Sequence, residues 1–252
     1  MKAKTVFFLF GITLLAFFLR FYLLGDTPRG FYKDEAFLGY NAYSLLQTAK
    51  DMNGNFLPLH LQSFLYSPAG YSYFSIPFIA LFGLSAFSVR FASALFGSLT
   101  VVIVFFLTAE LFAKVKQKNT ISLLAAFFLT ISPWHINLSR TATENVLVVF
   151  FISIGVLLYL YWIKKQRLYL LFLSFLSFGI PMFVYQAPRS FLPLFIPMLV
   201  FLFWKQLKDK KQYILVGALF FLMILAPMLW IFSSKQLLVR INTVSVFSTP
   251  GT

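Results

Sequence analysis

The sequence has 252 residues, of which 60% are hydrophobic and only 11% are charged. A soluble domain carries about 25% charged residues, so most of this surface is expected to face lipid. The chain has no cysteine, which excludes disulfides, thiolate metal sites and a cysteine nucleophile. The formal net charge of +14 does not indicate a nucleic-acid partner, because the basic residues stand in short clusters between apolar runs, as in cytoplasmic loops of membrane proteins.

Seven apolar runs predict transmembrane helices, since about 20 apolar residues cross the hydrocarbon core. The first run, residues 6–24, follows a basic N-terminus. We predict an anchor there in preference to a cleaved signal peptide, because Arg20 lies near its outer end and no small-x-small cleavage site is present. The other six runs are residues 87–113, 121–138, 146–163, 168–184, 191–204 and 214–232.

Residues 71–83 form a further apolar run, which contains Pro77 and has a short core. If this run does not cross, every short Lys cluster falls on one side of the membrane. If it crosses, the clusters from Lys114 onward move to the other side. The positive-inside rule therefore predicts that residues 71–83 lie in the interface or re-enter from outside, and that the N-terminus is cytoplasmic.

Residues 25–90 then form one outer loop, which is too short and aromatic for a separate soluble domain. We predict that it folds as amphipathic helices resting on the membrane, with one helix over residues 34–50 that ends in turn formers at 50–55. The apolar face of that helix comprises Ala36, Phe37, Tyr40, Tyr43 and Leu46. The predicted fold is an all-α membrane protein, a polytopic bundle of about seven transmembrane helices with amphipathic juxtamembrane helices.

Acidic residues are few, and in this topology most of them lie outside. The outer acids are Asp26, Asp34, Glu35, Asp51 and Glu144. The Asp34–Glu35 pair opens the loop helix, where it either complements the helix dipole or, partly desolvated, supplies a base. Glu144 either pairs with Arg140 or starts a helix, or it faces Asp34 across a cavity.

The outer basic residues near these acids are Lys50, Arg90, Arg140 and Arg189. An arginine fork suits two phosphate oxygens, whereas the alternative for each one is anchoring to lipid headgroups. The two histidines lack the close spacing of a metal motif. The chain has no P-loop, no Rossmann glycine fingerprint and no Gly-x-Ser-x-Gly elbow, which disfavours a nucleotide-dependent cytoplasmic enzyme.

Several short motifs follow one another in a fixed order. They are FYKDEA at 31–36, GYNAYS at 39–44, SP at 67–68 at the start of a second loop helix, RFASALFG at 90–97, SPWH at 132–135, SR at 139–140 and EN at 144–145. The ordered set, with its topology, resembles the GT-C glycosyltransferases over essentially the whole chain. The nearest resemblance is to the protein O-mannosyltransferases and the lipid A aminoarabinose transferases.

This resemblance implies an inverting transfer of a sugar from a polyprenyl-phosphate donor to a lipid, glycan or protein acceptor on the extracytoplasmic face of a plasma or inner membrane. Asp34, with Glu35 beside it, would be the base or acceptor-orienting acid. Glu144 would hold the acceptor or a divalent cation, while Arg140 and Arg189 would contact the leaving phosphate. The resemblance implies no definite cofactor, and it leaves the divalent cation open.

Two departures from the family pattern stand out. Several relatives have a Lys before the proline of the second loop helix, where this chain has Tyr66-Ser67-Pro68, so that phosphate contact is missing or supplied elsewhere. Relatives also continue with more spans. Residues 1–252 are therefore expected to form a single transmembrane domain that corresponds to the N-terminal part of a longer family domain. The chain would then be either a fragment or a truncated paralogue. The alternatives are a transporter or flippase, whose paired helix breaks are not evident, and a non-catalytic remnant.

Overall fold

The computed structural model describes residues 3–62 and 66–207 and the single positions 215, 217, 219 and 222. The helices in this part are α1 Ala3–Phe21, α2 Lys33–Thr48, α3 Gly70–Phe82, α4 Ala86–Leu111, α5 Lys118–Ile131, α6 Pro133–Ser139, α7 Glu144–Lys165, α8 Leu168–Val184, α9 Ala187–Leu202 and α10 Trp204–Leu207. Two short strands, β1 His60–Gln62 and β2 Tyr66–Pro68, complete the elements. Apart from those single positions, the run predicted at 214–232 lies outside the described residues.

Three single helices, α1, α4 and α7, are long and apolar enough to cross a membrane. The pair α5 and α6, bent by 60° at its break, makes a fourth candidate. These confirm the runs predicted near 6–24, 87–113, 121–138 and 146–163. Helices α8 and α9 are apolar but have only 17 and 16 residues, near the lower limit for a crossing. The protein is thus a multi-pass, mainly helical membrane protein.

The helix directions place the Lys clusters at 114–118 and 164–165 at one end of the bundle. Phe21 at the end of α1 contacts Phe91 near the start of α4, with 5.0 Å between ring centroids. Leu9, earlier in α1, belongs to the same buried cluster as Phe105, later in α4, so these two helices are antiparallel. Glu110 at the end of α4 forms an ion pair with Lys164 at the end of α7. We call this the inner end, and the end that carries residues 25–90 the outer end.

Helix α3 is short, and its aromatic contacts with α4 lie in the first half of that helix. Its 13 residues span about 20 Å at 1.5 Å per residue, against a hydrocarbon core of about 30 Å. Phe74 contacts Phe96 and Phe78 contacts Phe91, with centroid distances of 5.5 and 4.5 Å. This agrees with the prediction that residues 71–83 do not cross.

Helix α2 confirms the helix predicted at 34–50, but it has two apolar faces where the sequence suggested one. Leu38, Ala42 and Leu45 are buried and dock α2 against α3 and α4. On the predicted face, Tyr40 and Tyr43 are 54% and 38% exposed. The missed face holds the helix to the protein together with Phe37 and Leu46 of the predicted face, which are partly buried against the same core, whereas the two tyrosines point outward.

A β-hairpin precedes α3, and the sequence did not indicate it. Strands β1 and β2 pair antiparallel, with His60 opposite Pro68. Ser67 and Pro68 therefore belong to a strand, and the second loop helix begins at Gly70, because backbone pairing to β1 takes precedence. The turn predicted at 50–55 is present.

The break between α5 and α6 is held by Arg20 from α1. Pro133 has no N–H to continue the helix, so carbonyls at the end of α5 are left free. The buried Arg20 guanidinium donates to the oxygens of Thr130 and Leu129 (3.4 and 3.3 Å) and to Nδ1 of His135 (2.8 Å). A cation at a helix C-terminus is favourable because of the helix dipole.

Gly97 of α4 allows the close approach of α6. A Cβ at position 97 would lie 2.2 Å from Oγ and 2.7 Å from Cβ of Ser139. We expect Gly97→Ala to lower the free energy of unfolding by about 1–3 kcal/mol through overpacking. Denaturation in detergent micelles measures this change.

Gly11→Ala in α1 is the matched control, because nothing lies within 4 Å of its added Cβ. It is expected to stabilise α1 by about 0.5–1 kcal/mol through helix propensity. Equal effects of the two substitutions would contradict the packing explanation for Gly97.

Candidate active site at the outer end

The outer end is organised around a buried ion pair between α2 and α4. Arg90 and Glu35 are 1% and 2% exposed. Arg90 Nε donates to Oε1 of Glu35 and Nη2 donates to Oε2, both at 2.9 Å. This is the bidentate arrangement in which a guanidinium and a carboxylate bind most strongly.

Arg90 also holds the segment between α1 and α2. Its Nη1 donates to the carbonyl oxygens of Leu24 (3.2 Å) and Pro28 (3.1 Å), and Nη2 donates to that of Gly30 (2.8 Å). With the two bonds to Glu35, the five N–H groups of the guanidinium all have acceptors. The chain that leads from the membrane to Asp34 is therefore fixed to α4.

Glu35 joins this segment to a second loop. Its Oε2 accepts from the backbone N–H of Tyr32 at 3.0 Å, which satisfies a free donor at the start of α2. Its Oε1 accepts from the backbone N–H of Ala142 at 2.8 Å. Ala142 lies two residues before Glu144, so one carboxylate fixes the backbone on both sides of the candidate site.

A hydroxyl network reinforces the second contact. Ser93 Oγ donates to the carbonyl of Thr143 and accepts from its N–H, both at 3.2 Å. The Tyr71 hydroxyl donates to the Val89 carbonyl at 2.9 Å and lies 3.0 Å from Ser93 Oγ. Burial raises the pKa of Tyr71 above its ordinary value, so this hydroxyl remains protonated. The loop before Glu144 is thereby held to α4 through Thr143 and to α2 through Ala142.

The environment of Glu35 keeps it ionised. Burial alone raises the pKa of this carboxyl, but hydrogen bonds from Arg90, Ala142 and Tyr32 and the charge of Arg90 outweigh it. The pKa of Glu35 consequently lies below its ordinary value. A buried carboxylate that accepts four N–H bonds is suited to holding structure.

Asp34 has the opposite environment, although it is adjacent in sequence. Its side chain is exposed on the first turn of α2, beside Tyr32, which is 69% exposed. Among the described residues, none donates a hydrogen bond to its carboxylate. Asp34 is therefore open to a ligand from outside the protein.

Arg140 and Arg189 occupy two different places. Arg140 caps the end of α1, with Nη1 donating to the Leu19 carbonyl at 2.8 Å and Nη2 to that of Tyr22 at 2.7 Å. Arg189, near the start of α9, donates through Nε to the Met182 carbonyl at 2.9 Å.

Nη2 of Arg189 lies 2.7 Å from Nε2 of His60 in β1. Burial and the charge of Arg189 lower the pKa of His60 to about 4, so the imidazole is neutral and accepts this bond. Arg140 shares its loop with Ala142 and Glu144, whereas Arg189 belongs to the contact between α9 and the hairpin.

Within the described ranges, no group of three or more His, Cys, Asp or Glu side chains is arranged to hold a metal ion. The side chains present therefore do not by themselves form a set of protein ligands for the divalent cation that the sequence left open.

Sequence reasoning missed the importance of Arg90, Tyr71 and Ser93. From the sequence, Arg90 is one of four outer basic residues, for which the two predicted roles are phosphate binding and anchoring to lipid headgroups. A signal was available, because Arg90 stands one turn inside a mainly apolar helix of 26 residues. A charge in that setting needs a buried partner.

The fold and this site together define a polytopic helical membrane protein of the GT-C class, with Asp34, Glu35 and Glu144 at the outer end of the bundle. A family model described as dolichyl-phosphate-mannose-protein mannosyltransferase matches residues 67–231, more than half of the chain. The chain belongs to this family of membrane glycosyltransferases. The predicted resemblance is thereby confirmed.

The apo crystal structure of ArnT from Cupriavidus metallidurans shares the fold, with a TM-score of 0.67 and 15% sequence identity. The match covers 98% of this chain and 44% of ArnT, so the chain spans less than half of that protein. At this identity the likeness shows the fold alone. No curated protein matches the chain significantly.

Breaking the Glu35–Arg90 pair is expected to be costly. Glu35→Gln leaves a buried guanidinium without its counter-charge, and we expect a loss of about 3–5 kcal/mol in the free energy of unfolding. Denaturant titration in micelles measures it.

Glu110→Gln is the control, because it breaks the ion pair with Lys164, whose side chain is 54% exposed. Such a pair is worth at most about 1 kcal/mol. If the two variants lose equal stability, the buried pair is not the main restraint at the outer end.

Proposed function

We propose that this chain forms the N-terminal part of a glycosyltransferase that moves a sugar from a polyprenyl-phosphate donor to an acceptor on the extracytoplasmic face. The observation that carries the proposal is the contrast at the start of α2. There an open Asp34 stands next to Glu35, which is buried and bound to the segment that leads to Glu144. Family membership and the shared fold support the same class of reaction.

Asp34 acts on the acceptor in this proposal. Its carboxylate accepts a hydrogen bond from the acceptor hydroxyl and takes its proton as the oxygen forms a bond to the anomeric carbon. The bond from that carbon to the phosphate oxygen breaks on the opposite face, so the configuration inverts and polyprenyl phosphate leaves. A positioned base of this kind contributes about 10²–10⁴ in rate.

Glu35 positions Asp34 and does not itself exchange protons with the acceptor. This refines the sequence-based assignment of both carboxylates to catalysis, since Glu35 is buried and hydrogen-bonded throughout. Glu144 stands at the N-terminus of α7, half-buried, where it holds the acceptor or a divalent cation.

Arg140 and Arg189 are the proposed contacts of the leaving phosphate, because fixed positive charge stabilises the negative charge that develops there. Their bonds to backbone carbonyls orient both side chains. Arg140 would exchange part of its bonding to the end of α1 for phosphate oxygens.

Asp34→Asn tests the reaction. In membranes containing the protein and a polyprenyl-phosphate-linked sugar, we expect the rate of transfer to fall at least about a hundredfold, with unchanged expression and thermal stability. The control Asp26→Asn removes another exposed acid of the same loop and should leave transfer unaltered. Undiminished transfer by Asp34→Asn would remove Asp34 from the mechanism.

The proposed orientation has the N-terminus and the inner end in the cytoplasm of a plasma or inner membrane. Because the chain contains no cysteine, Lys116→Cys introduces a unique thiol at the inner end. We expect it to resist a membrane-impermeant thiol reagent in intact cells, whereas Arg29→Cys in the outer loop reacts. Ready labelling at position 116 would reverse the topology.

A further inference from the structure

Two basic loops meet at the inner end of the bundle. The first basic loop is the α4–α5 connection with the first residue of α5, and it carries Lys114, Lys116 and Lys118. The second is the last turn of α7 with the α7–α8 connection, and it carries Lys164, Lys165 and Arg167. The ion pair between Glu110 and Lys164 brings the two loops side by side. Among the described residues of this region Glu110 is the single acid, so the six basic side chains retain a strong positive excess. We call these six residues the inner basic patch.

The length of α7 predicts that the patch lies at the depth of lipid headgroups. Helix α7 has 22 residues, which is about 33 Å at 1.5 Å per residue and matches the hydrocarbon thickness. Its start is at the outer site, so its end at Lys165 reaches the opposite boundary. Exposed apolar and aromatic side chains border the patch, namely Leu111, Phe112, Leu168 and Tyr169. Such residues are typical of the boundary between hydrocarbon and headgroups.

Two of the cations are held in place. Lys164 is fixed by Glu110, and the Lys165 ammonium lies 5.5 Å from the centroid of the Tyr161 ring. Lys114, Lys116 and Arg167 are exposed. Arg167 offers the planar fork that binds two phosphate oxygens, and lysines add point charges around it.

We propose that the inner basic patch binds the phosphate headgroup of an anionic phospholipid in the adjacent leaflet. The lipid phosphate lies between the two loops, and its acyl chains run along the exposed apolar side chains below. The continuity of cations with lipid-facing residues favours a lipid over a soluble polyanion. This inference is independent of the transfer activity, since it concerns the opposite end of the bundle.

Full-length protein in nanodiscs of phosphatidylcholine with a minor fraction of phosphatidylglycerol tests the site. The double variant Lys116→Gln/Arg167→Gln takes one exposed cation from each loop. Because each basic residue near an anionic surface contributes several-fold, we expect retention of phosphatidylglycerol, read by native mass spectrometry, to fall roughly ten- to thirtyfold.

The control Arg29→Gln/Lys50→Gln removes the same charge from exposed positions at the outer end, and it should retain the lipid within about twofold of wild type. Both double variants are compared in pure phosphatidylcholine discs, where equal thermal stability shows that folding is intact. If the patch variant is unstable there, raised salt applied to the wild-type protein should release the lipid through screening.

The proposal would be overturned if both double variants lost phosphatidylglycerol equally. It would also be overturned if raised salt did not change the retention of this lipid by the wild-type protein. Displacement of phosphatidylglycerol by a short RNA at equimolar concentration would also overturn it, in favour of a soluble polyanion.

Discussion

The buried ion pair between Glu35 and Arg90 is the constraint on which the outer end depends. Taking two charges out of water is costly, and the cost is recovered only when the geometry is good and the remaining donors and acceptors are satisfied. Here the guanidinium has an acceptor for every N–H, and the carboxylate accepts from four. The pair therefore orders the α1–α2 segment, the start of α2 and the α6–α7 loop together.

This arrangement gives two adjacent carboxylates different environments. The Glu35 carboxylate makes hydrogen bonds that fix the backbone at the start of α2. The backbone of Asp34, one residue earlier, is therefore also fixed, while the Asp34 side chain remains exposed. The same bond to Ala142 sets the position from which Glu144 starts α7. In the proposed reaction, this arrangement gives Asp34 rigid support from the protein while its carboxylate stays exposed, which is the kind of preorganisation that catalysis uses.

Arginines have a similar role elsewhere in the bundle. Arg20 joins α1 to the broken end of α5, and Arg140 caps the last turn of α1. Both place positive charge against helix carbonyl ends, where it is favourable. The described basic residues thus differ between the two ends. Single arginines fix helix ends at the outer end, whereas the clustered basic residues at the inner end are mostly exposed.

The sequence alone determined the membrane class, the four best-defined crossings, the single end that carries the Lys clusters and the acidic character of the outer loop. These follow from hydropathy and charge order, which are local properties of the chain. Only the tertiary structure decided which face of α2 is buried, that residues 60–68 pair as a hairpin, and which acid stays open. Neighbours on a helix point about 100° apart, so Asp34 and Glu35 are distinguished only by the docking of α2. Arg90 and Ala142, the distant partners of Glu35, lie 55 and 107 residues away, beyond any local pattern.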